Sequence, residues 1–364
     1  MPPATESTSA AGHQVLRVGT RDSKLALIQT DYVIQKIQAA YPALTIKTET
    51  MKTIGDKIQD IAMSKFGDKG LFTKELESAL EANMIDIIVH SLKDMPTQLP
   101  ENMTLLAITQ REDPRDAVIM SRMNLGKRIS DLPAGSVIGT GSVRRVAQLR
   151  RLYPGLVFQD IRGNLTTRMA KLDAEDSPYA ALILAVAGMK RQGLGERISH
   201  PLDNVLHAVG QGALGIEVRS DDSKTAEMLS GCLNHRESRL ACLAERELMR
   251  RLEGGCSVPI GVRTAWSQDK RSLKLSAVVA SPDGAKEVRA CDEMVVIAES
   301  ASGDEDHQQQ QQRQLDDEDA RCRELGAKVA TMMRQKGAGA ILDAIHRPEP
   351  VSAELIAAAT ARKE

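Results

Sequence analysis

A pattern of strand, polar turn and helix occurs twice in the first half of this 364-residue chain, and it limits the fold more than any other feature. Val15-Leu16-Arg17-Val18-Gly19-Thr20 reads as a strand closing at a glycine. Ser23 to Ala39 then carries Leu25, Ile28, Val33 and Ile37 at helical spacing. Val137-Ile138-Gly139-Thr140-Gly141-Ser142 repeats strand and turn, and a basic helix from Val143 to Tyr153 follows. Further strands are predicted over Leu44 to Lys52, Ile85 to Val89, Leu156 to Ile161 and Ala180 to Val186, with helices over Phe72 to Glu81 and Leu165 to Leu172. Such alternation belongs to α/β architecture, whose polar sites gather at the carboxyl ends of strands. Two α/β lobes facing each other across a cleft is the economical reading.

The pattern changes after residue 237. Ser238 to Leu252 reads as a charged amphipathic helix, followed by strands around Ile260 to Trp266, Leu273 to Ala280 and Glu287 to Ile297. The expected division is a disordered tail over 1–14, a first lobe over 15–115 to which 201–237 returns, a second lobe over 116–200, and a small third domain over 238–364. Within the third domain, the acidic, glutamine-rich run 299–319 has little apolar surface to bury and is expected to be a disordered insert. Gly55 to Gly70, with scattered glycine, lysine and aspartate, reads as a loop.

Composition removes several function classes. A formal charge of -1 gives no polyanion-binding surface, and aromatic residues at 2% are too few for stacking on bases or sugars, so no nucleic-acid partner is expected. No apolar run is long enough to cross a membrane. The five cysteines form no close pair and leave one over, which points to a reducing, cytoplasmic setting rather than a disulfide framework. The histidines offer no compact ligand set, so no metal is implied. His90, ending a buried strand, reads as a packing or hydrogen-bonding residue.

Three features carry chemistry. In Leu252-Glu253-Gly254-Gly255-Cys256-Ser257-Val258-Pro259, two glycines free the backbone to project a thiol and Pro259 limits how the chain leaves. Such a cysteine is a reactive group, an attachment point or a small buried hydrophobe. Lys93-Asp94 follows the Ile85 to Val89 strand, where a carboxylate is held rigidly enough to transfer a proton or stabilise developing positive charge; a helix cap or surface ion pair is the plainer reading. Arginines then cluster at turns. Arg21 follows the first strand, Arg144 and Arg145 open a helix, Arg162 ends a strand, Arg168 lies on the next helix and Arg191 sits in the following turn. Forked guanidiniums suit a small ligand rich in carboxylates, to which amides of the Thr140-Gly141-Ser142 turn could add contacts.

Seven ordered segments resemble the porphobilinogen deaminase family. They are Arg17 to Arg21, Phe72 to Leu76, Val89 to Pro96, Gly139 to Gln148, Ile161 to Leu165, Val209 to Gly215 and Leu252 to Pro259, spread over Val15 to Val296. The resemblance implies two periplasmic-binding-protein-like lobes with mixed sheets plus a small α+β C-terminal domain with an antiparallel sheet. It implies a dipyrromethane cofactor joined covalently through Cys256. Four porphobilinogen units are then added with loss of ammonia, and water releases the linear product.

By the same resemblance, Asp94 is the proton-transfer residue, assisted by Lys93, Arg21 and Arg162. Ser91, Lys93, Asp94, Thr140, Ser142, Arg144, Arg145, Arg168 and Arg191 hold the cofactor, while Arg21, Gln29, Arg162 and Arg168 hold substrate. Gly55 to Gly70 becomes a lid, with Lys69 near its inner end. The partners implied are porphobilinogen and the growing pyrrole chain, on a monomer. Gly141 stands where many relatives have serine, so one hydroxyl contact is expected to be missing. A solute-binding protein, a thiol hydrolase or an interaction protein would each leave part of this pattern unused.

Overall fold

The computed structural model describes residues 15–53, 73–253, 258–297 and 307–346. Strand β1 (Val15–Arg21) leads through Ser23 into helix α1 (Lys24–Ala40), and the Ser23 side chain caps it by accepting from the Ala26 amide at 3.3 Å. Val33 and Ile37 turn inward as the spacing predicts, whereas Leu25 and Ile28 are half-buried and Ala26, Gln29 and Thr30 take the buried face of the first turns. Strand β2 (Thr45–Met51), helix α2 (Lys74–Glu81), strand β3 (Ile87–Ser91) and strand β4 (Met103–Ile108) complete the first pass through this lobe.

The chain then crosses over. Strand β5 (Asp116–Met120), strand β6 (Val137–Gly139), helix α3 (Val143–Leu152), strand β7 (Val157–Gln159), helix α4 (Leu165–Asp173), strand β8 (Tyr179–Ala185), helix α5 (Val186–Arg191) and the short strand β9 (His200–Pro201) build the second lobe. Strand β10 (Leu214–Arg219) re-enters the first sheet, and helix α6 (Ser223–Leu233) covers it.

The two five-stranded sheets have orders β2-β1-β3-β10-β4 and β7-β6-β8-β5-β9. In each, three strands run parallel and the fourth position is an antiparallel strand arriving from the other lobe. This matched order is the mixed-sheet, periplasmic-binding-protein-like arrangement expected. It brings the carboxyl ends of β1, β3, β6 and β8 to one cleft.

Helix α7 (Arg236–Arg251), strands β11 (Ile260–Trp266), β12 (Ser272–Ala280) and β13 (Glu287–Val295), and helices α8 (His307–Gln335) and α9 (Ala338–His346) form the third layer. Its sheet is antiparallel throughout, with Leu273, Leu275, Ala277 and Val279 buried against Leu240, Leu248, Leu325 and Val329.

Two expectations need correction. The run 299–319 is not disordered from His307 onward: it forms the first turns of α8. Its acidic residues find partners on α7, where Glu318, 2% exposed, pairs with Arg236, and Asp319 pairs with Arg239. Those arginines stabilise carboxylates that composition alone assigns to solvent. The chain also does not leave the second lobe at residue 201. Pro201 pairs with Ala117, and Leu202 and Val205 fill the second lobe's core before His207 bridges to Val262. The Gly55 to Gly70 loop and the Cys256 loop lie outside the described residues.

The crossing segments are pinned by a buried ion pair. Arg111 donates to both oxygens of Glu245 on α7, at 2.7 and 3.0 Å, and through Nε to the Gln211 carbonyl. Glu245 also accepts from the Gly210 amide and the Thr264 hydroxyl, each at 2.9 Å. Burial opposes ionisation of Glu245, but Arg111 and the Gly210 amide outweigh it and hold the carboxyl below its ordinary range. Burial and Arg111 push the neighbouring His207 down to about 4, so its ring is neutral at pH 7. Gly212 (φ +91) makes the close approach possible, since a Cβ there would meet the Glu112 carbonyl oxygen at 2.3 Å.

Candidate active-site cleft

The best-placed reactive pair is Lys93-Asp94, in a single 3-10 turn (Leu92–Asp94) directly after β3. Leu92 and Met95 on either side are 1% and 2% exposed and pack with Ile108, Ala213 and Cys242. Burying two such side chains contributes about 3–6 kcal/mol, which fixes the turn and leaves Lys93 and Asp94 half-buried between them. Neither side chain makes a hydrogen bond or ion pair among the described residues, and each is therefore available to a ligand. Burial lowers the Lys93 ammonium below a free lysine; Asp94 opposes the shift and Arg145 adds to it. That influence of Arg145 and Arg144 reaches Lys93 from the opposite lobe.

On that lobe, Ser142 caps α3 by accepting from the Arg145 amide at 3.5 Å, and Thr140, 2% exposed, accepts from the Ser142 amide at 3.4 Å. The helix N-terminus thus opens at the cleft with its positive end forward.

Arg144 and Arg145 were expected to hold a ligand's carboxylates, yet both grip Asp116. Arg144 Nη1 donates to Asp116 Oδ2 at 2.7 Å and to the Leu206 carbonyl at 2.7 Å. Arg145 donates Nη2 and Nε to Asp116 Oδ1, at 2.7 and 3.0 Å, and Nη1 to the Ile183 carbonyl. Gln211 adds a donor to the same oxygen at 2.9 Å. Burial disfavours the Asp116 charge, but the two guanidiniums overcome it and hold the carboxyl far below its usual range. Arg145 is therefore occupied, whereas Arg144 keeps Nε and Nη2 without partners among the described residues.

The remaining expected residues lie on the helices and turns that follow these strands, or at the strand ends themselves. Arg168 donates through Nε to the Gly163 carbonyl at 2.8 Å, and burial, with Arg145 and Arg162 nearby, lowers its pKa. Arg191 reaches back to the hinge, donating to the Gly212 carbonyl at 2.7 Å, and burial lowers it too. Arg162 pairs with Asp160 at 2.6 Å, and Arg21 ends β1. Gln29 and Ser91 hydrogen-bond each other at 2.9 Å, so each already has a partner. His90 packs as expected, its Nε2 lying 2.7 Å from the buried Glu217 Oε2. Lys69, Gly55 and Cys256 lie outside the described residues, although the attachment loop's flanks are fixed: Leu252 is fully buried and the Ala280 amide donates to the Pro259 carbonyl.

Asp116, Asp160, Arg111, Gln211 and Glu245 are the polar residues that sequence reasoning missed. The one available signal was Asp116 itself, an acid opening the apolar run Ala117-Val118-Ile119-Met120.

A family model described as "Porphobilinogen deaminase, dipyromethane cofactor binding domain" matches residues 16–227. A second, "Porphobilinogen deaminase, C-terminal domain", matches 239–335. The chain belongs to the porphobilinogen deaminase family. Curated porphobilinogen deaminases of Nostoc sp. and Gloeobacter violaceus are 46% and 49% identical to it, covering 93% and 90% of this chain and 97% and 93% of their own. The porphobilinogen deaminase of Yarrowia lipolytica is 46% identical over 90% of this chain and 93% of its own. Among solved structures, the methionine-binding protein MetQ aligns with 60% of this chain and 89% of its own at 12% identity, with a TM-score of 0.39.

Family membership bears on Gly141. A Cβ at Gly141 would meet Asp160 Oδ1 at 2.9 Å, so the glycine lets Asp160 lie close and hold Arg162. Gly141→Ala is expected to displace Asp160 and raise KM a few-fold, with thermal stability within about 0.5 kcal/mol of the parent. Steady-state kinetics beside a melting curve checks this, and an unchanged KM would show that the Asp160 to Arg162 contact is irrelevant to binding.

Proposed function

We propose that this cleft performs the family's reaction, joining porphobilinogen units head to tail with loss of ammonia and releasing linear hydroxymethylbilane, through Asp94 and the cations around it. As a porphobilinogen deaminase, or hydroxymethylbilane synthase, the chain is a transferase of tetrapyrrole biosynthesis that uses a dipyrromethane cofactor. The observation that supports the residue assignment is that Lys93, next to Asp94 and like it without a hydrogen-bond or ion-pair partner among the described residues, lies close enough to Arg144 and Arg145 of the facing lobe to be influenced by their charge.

The residues suit a dipyrromethane, whose acetate and propionate groups need cations and whose pyrrole N–H groups need an acceptor. Lys93, Arg144, Arg168 and the amides opening α3 would hold the carboxylates, and Asp94 would accept from pyrrole N–H. When bound, that group supplies the pyrrole carbon on which the product is built. Asp94 stabilises the positive charge that develops on an incoming pyrrole as its ammonia departs, and it takes up the proton lost when aromaticity returns. Arg21 and Arg162 orient the substrate's carboxylates, and Arg191 supports the hinge-side wall. Asp116 keeps Arg145 fixed and ionised, so it positions rather than reacts. Cys256 is the attachment point in this reading, a tether instead of a turnover nucleophile.

A cytoplasmic monomer is part of the same reading, and the free thiols of Cys232, Cys242, Cys291 and Cys322 suit the reducing compartment. Among the described residues no helix is long and apolar enough to cross a membrane.

Intact-mass measurement and peptide mapping of the purified protein test the proposal. A dipyrromethane adduct on the Cys256 peptide is expected, and Cys256→Ser should lose both the adduct and all turnover. Fully active protein with an unmodified Cys256 would overturn the tether.

A further inference from the structure

A second concavity of about 350 Å³ lies between β4 and the helices α7 and α8, and none of its lining residues is among those assigned to the cleft. Strand β4 is the outermost of its sheet, so one backbone edge has no ladder partner. From the helices come Arg239, Arg246, Arg250 and Arg323, together with, among the described residues, two carboxylates, Glu247 and Asp319.

Two of the four guanidiniums are neutralised. Arg239 pairs with Asp319, and Arg250 forks onto Glu247 at 2.6 and 2.8 Å. The other two touch no carboxylate directly, although Glu217 acts on Arg246 and Asp319 on Arg323 from farther off. Arg246, 7% exposed, donates to the Met95 carbonyl at 3.1 Å and the Pro96 carbonyl at 2.5 Å, and neither acceptor carries a net charge. Arg323 makes no hydrogen bond or ion pair among the described residues. Burial, opposed by Cys242 and reinforced by Arg323, lowers Arg246 to about 10. Like charges held together in a half-enclosed groove raise the energy of the empty state, which an anion relieves.

We propose that this groove is a second ligand site, binding a compact polyanion through Arg246 and Arg323, and that its occupancy is felt at Asp94. The two arginines suit phosphate or carboxylate oxygens, which accept from both edges of a guanidinium fork. Among the described residues no aromatic side chain lines the groove, which gives a nucleobase no stacking surface there. A pyrophosphate or a tricarboxylate matches this chemistry and size; a nucleotide's base would find nothing to rest on. The coupling follows from connectivity. Met95 and Pro96, the acceptors of Arg246, come directly after Asp94 in the chain. An anion drawing Arg246 toward the groove competes with those two carbonyls and shifts the turn that holds the carboxylate.

The binding half of this proposal is independent of the cleft's assignment, whereas the coupling half rests on the role given to Asp94. Titration calorimetry of the holoprotein with sodium pyrophosphate and, separately, sodium citrate at matched ionic strength tests the first half. Saturable binding of at least one is expected, with Arg323→Gln weakening it five-fold or more and Arg168→Gln, in the cleft, leaving it unchanged. Which salt binds distinguishes a phosphate from a carboxylate ligand. Absence of saturable binding by either, or a loss that follows Arg168→Gln instead of Arg323→Gln, overturns the site. For the second half, the saturating salt should change kcat at least two-fold in the parent and leave Arg323→Gln, whose basal turnover matches the parent's, unaffected. An unchanged kcat at saturation overturns the coupling while leaving the reading of the cleft intact.

Discussion

Replacing Asp94 by Asn should lower kcat by about 10²–10⁴-fold, the range typical of a lost proton-transfer group. The substitution keeps the side chain's size and removes its charge. Asp94 has no hydrogen-bond or ion-pair partner among the described residues, so folding owes little to its carboxylate. The neighbours that build the turn, Leu92 and Met95, are untouched. Melting temperature and circular dichroism should therefore match the parent while ammonia release collapses. Single-turnover measurement with porphobilinogen separates the chemical step from product release. Parental rates in that assay would remove Asp94 from the mechanism, whatever the fate of the Cys256 tether.

Glu245→Gln is expected to cost about 3–5 kcal/mol of stability, because it leaves the Arg111 guanidinium buried without a counter-charge. Urea unfolding, read as a shift in midpoint at constant slope, measures it. Replacing both partners, with Arg111→Met and Glu245→Leu together, should cost less than the sum of the single changes, since no charge is then stranded. A strictly additive double variant would show that the two side chains stabilise the hinge separately.

Much of the architecture was legible because it depends on local periodicity. Helix α1 was signalled by Leu25, Ile28, Val33 and Ile37, and the three strands of the last sheet by their alternation. Lys93-Asp94 could be found because a strand end announces itself as an apolar run turning polar. What could not be read depends on distant partners. Asp116 looks like an ordinary charged residue until Arg144, Arg145 and Gln211 close on it, the last of them 95 positions away. The first part of α8 reads as a solvated insert in sequence because its arginine partners on α7 lie 80 or more residues upstream. The arginines themselves were found as a group, but their sequence positions could not say which would be spent on the protein's own carboxylates.

The carboxylate of Glu245 touches both strands of chain that run between the lobes, one through Arg111 and the other through the Gly210 amide. It also belongs to α7, which continues for six residues to Arg251. The two crossing segments are therefore fastened to the third domain, and are not two independent tethers. One carboxylate thus joins the third domain to both crossing segments at a single point, and the helix that carries it is the one that leads to residue 252.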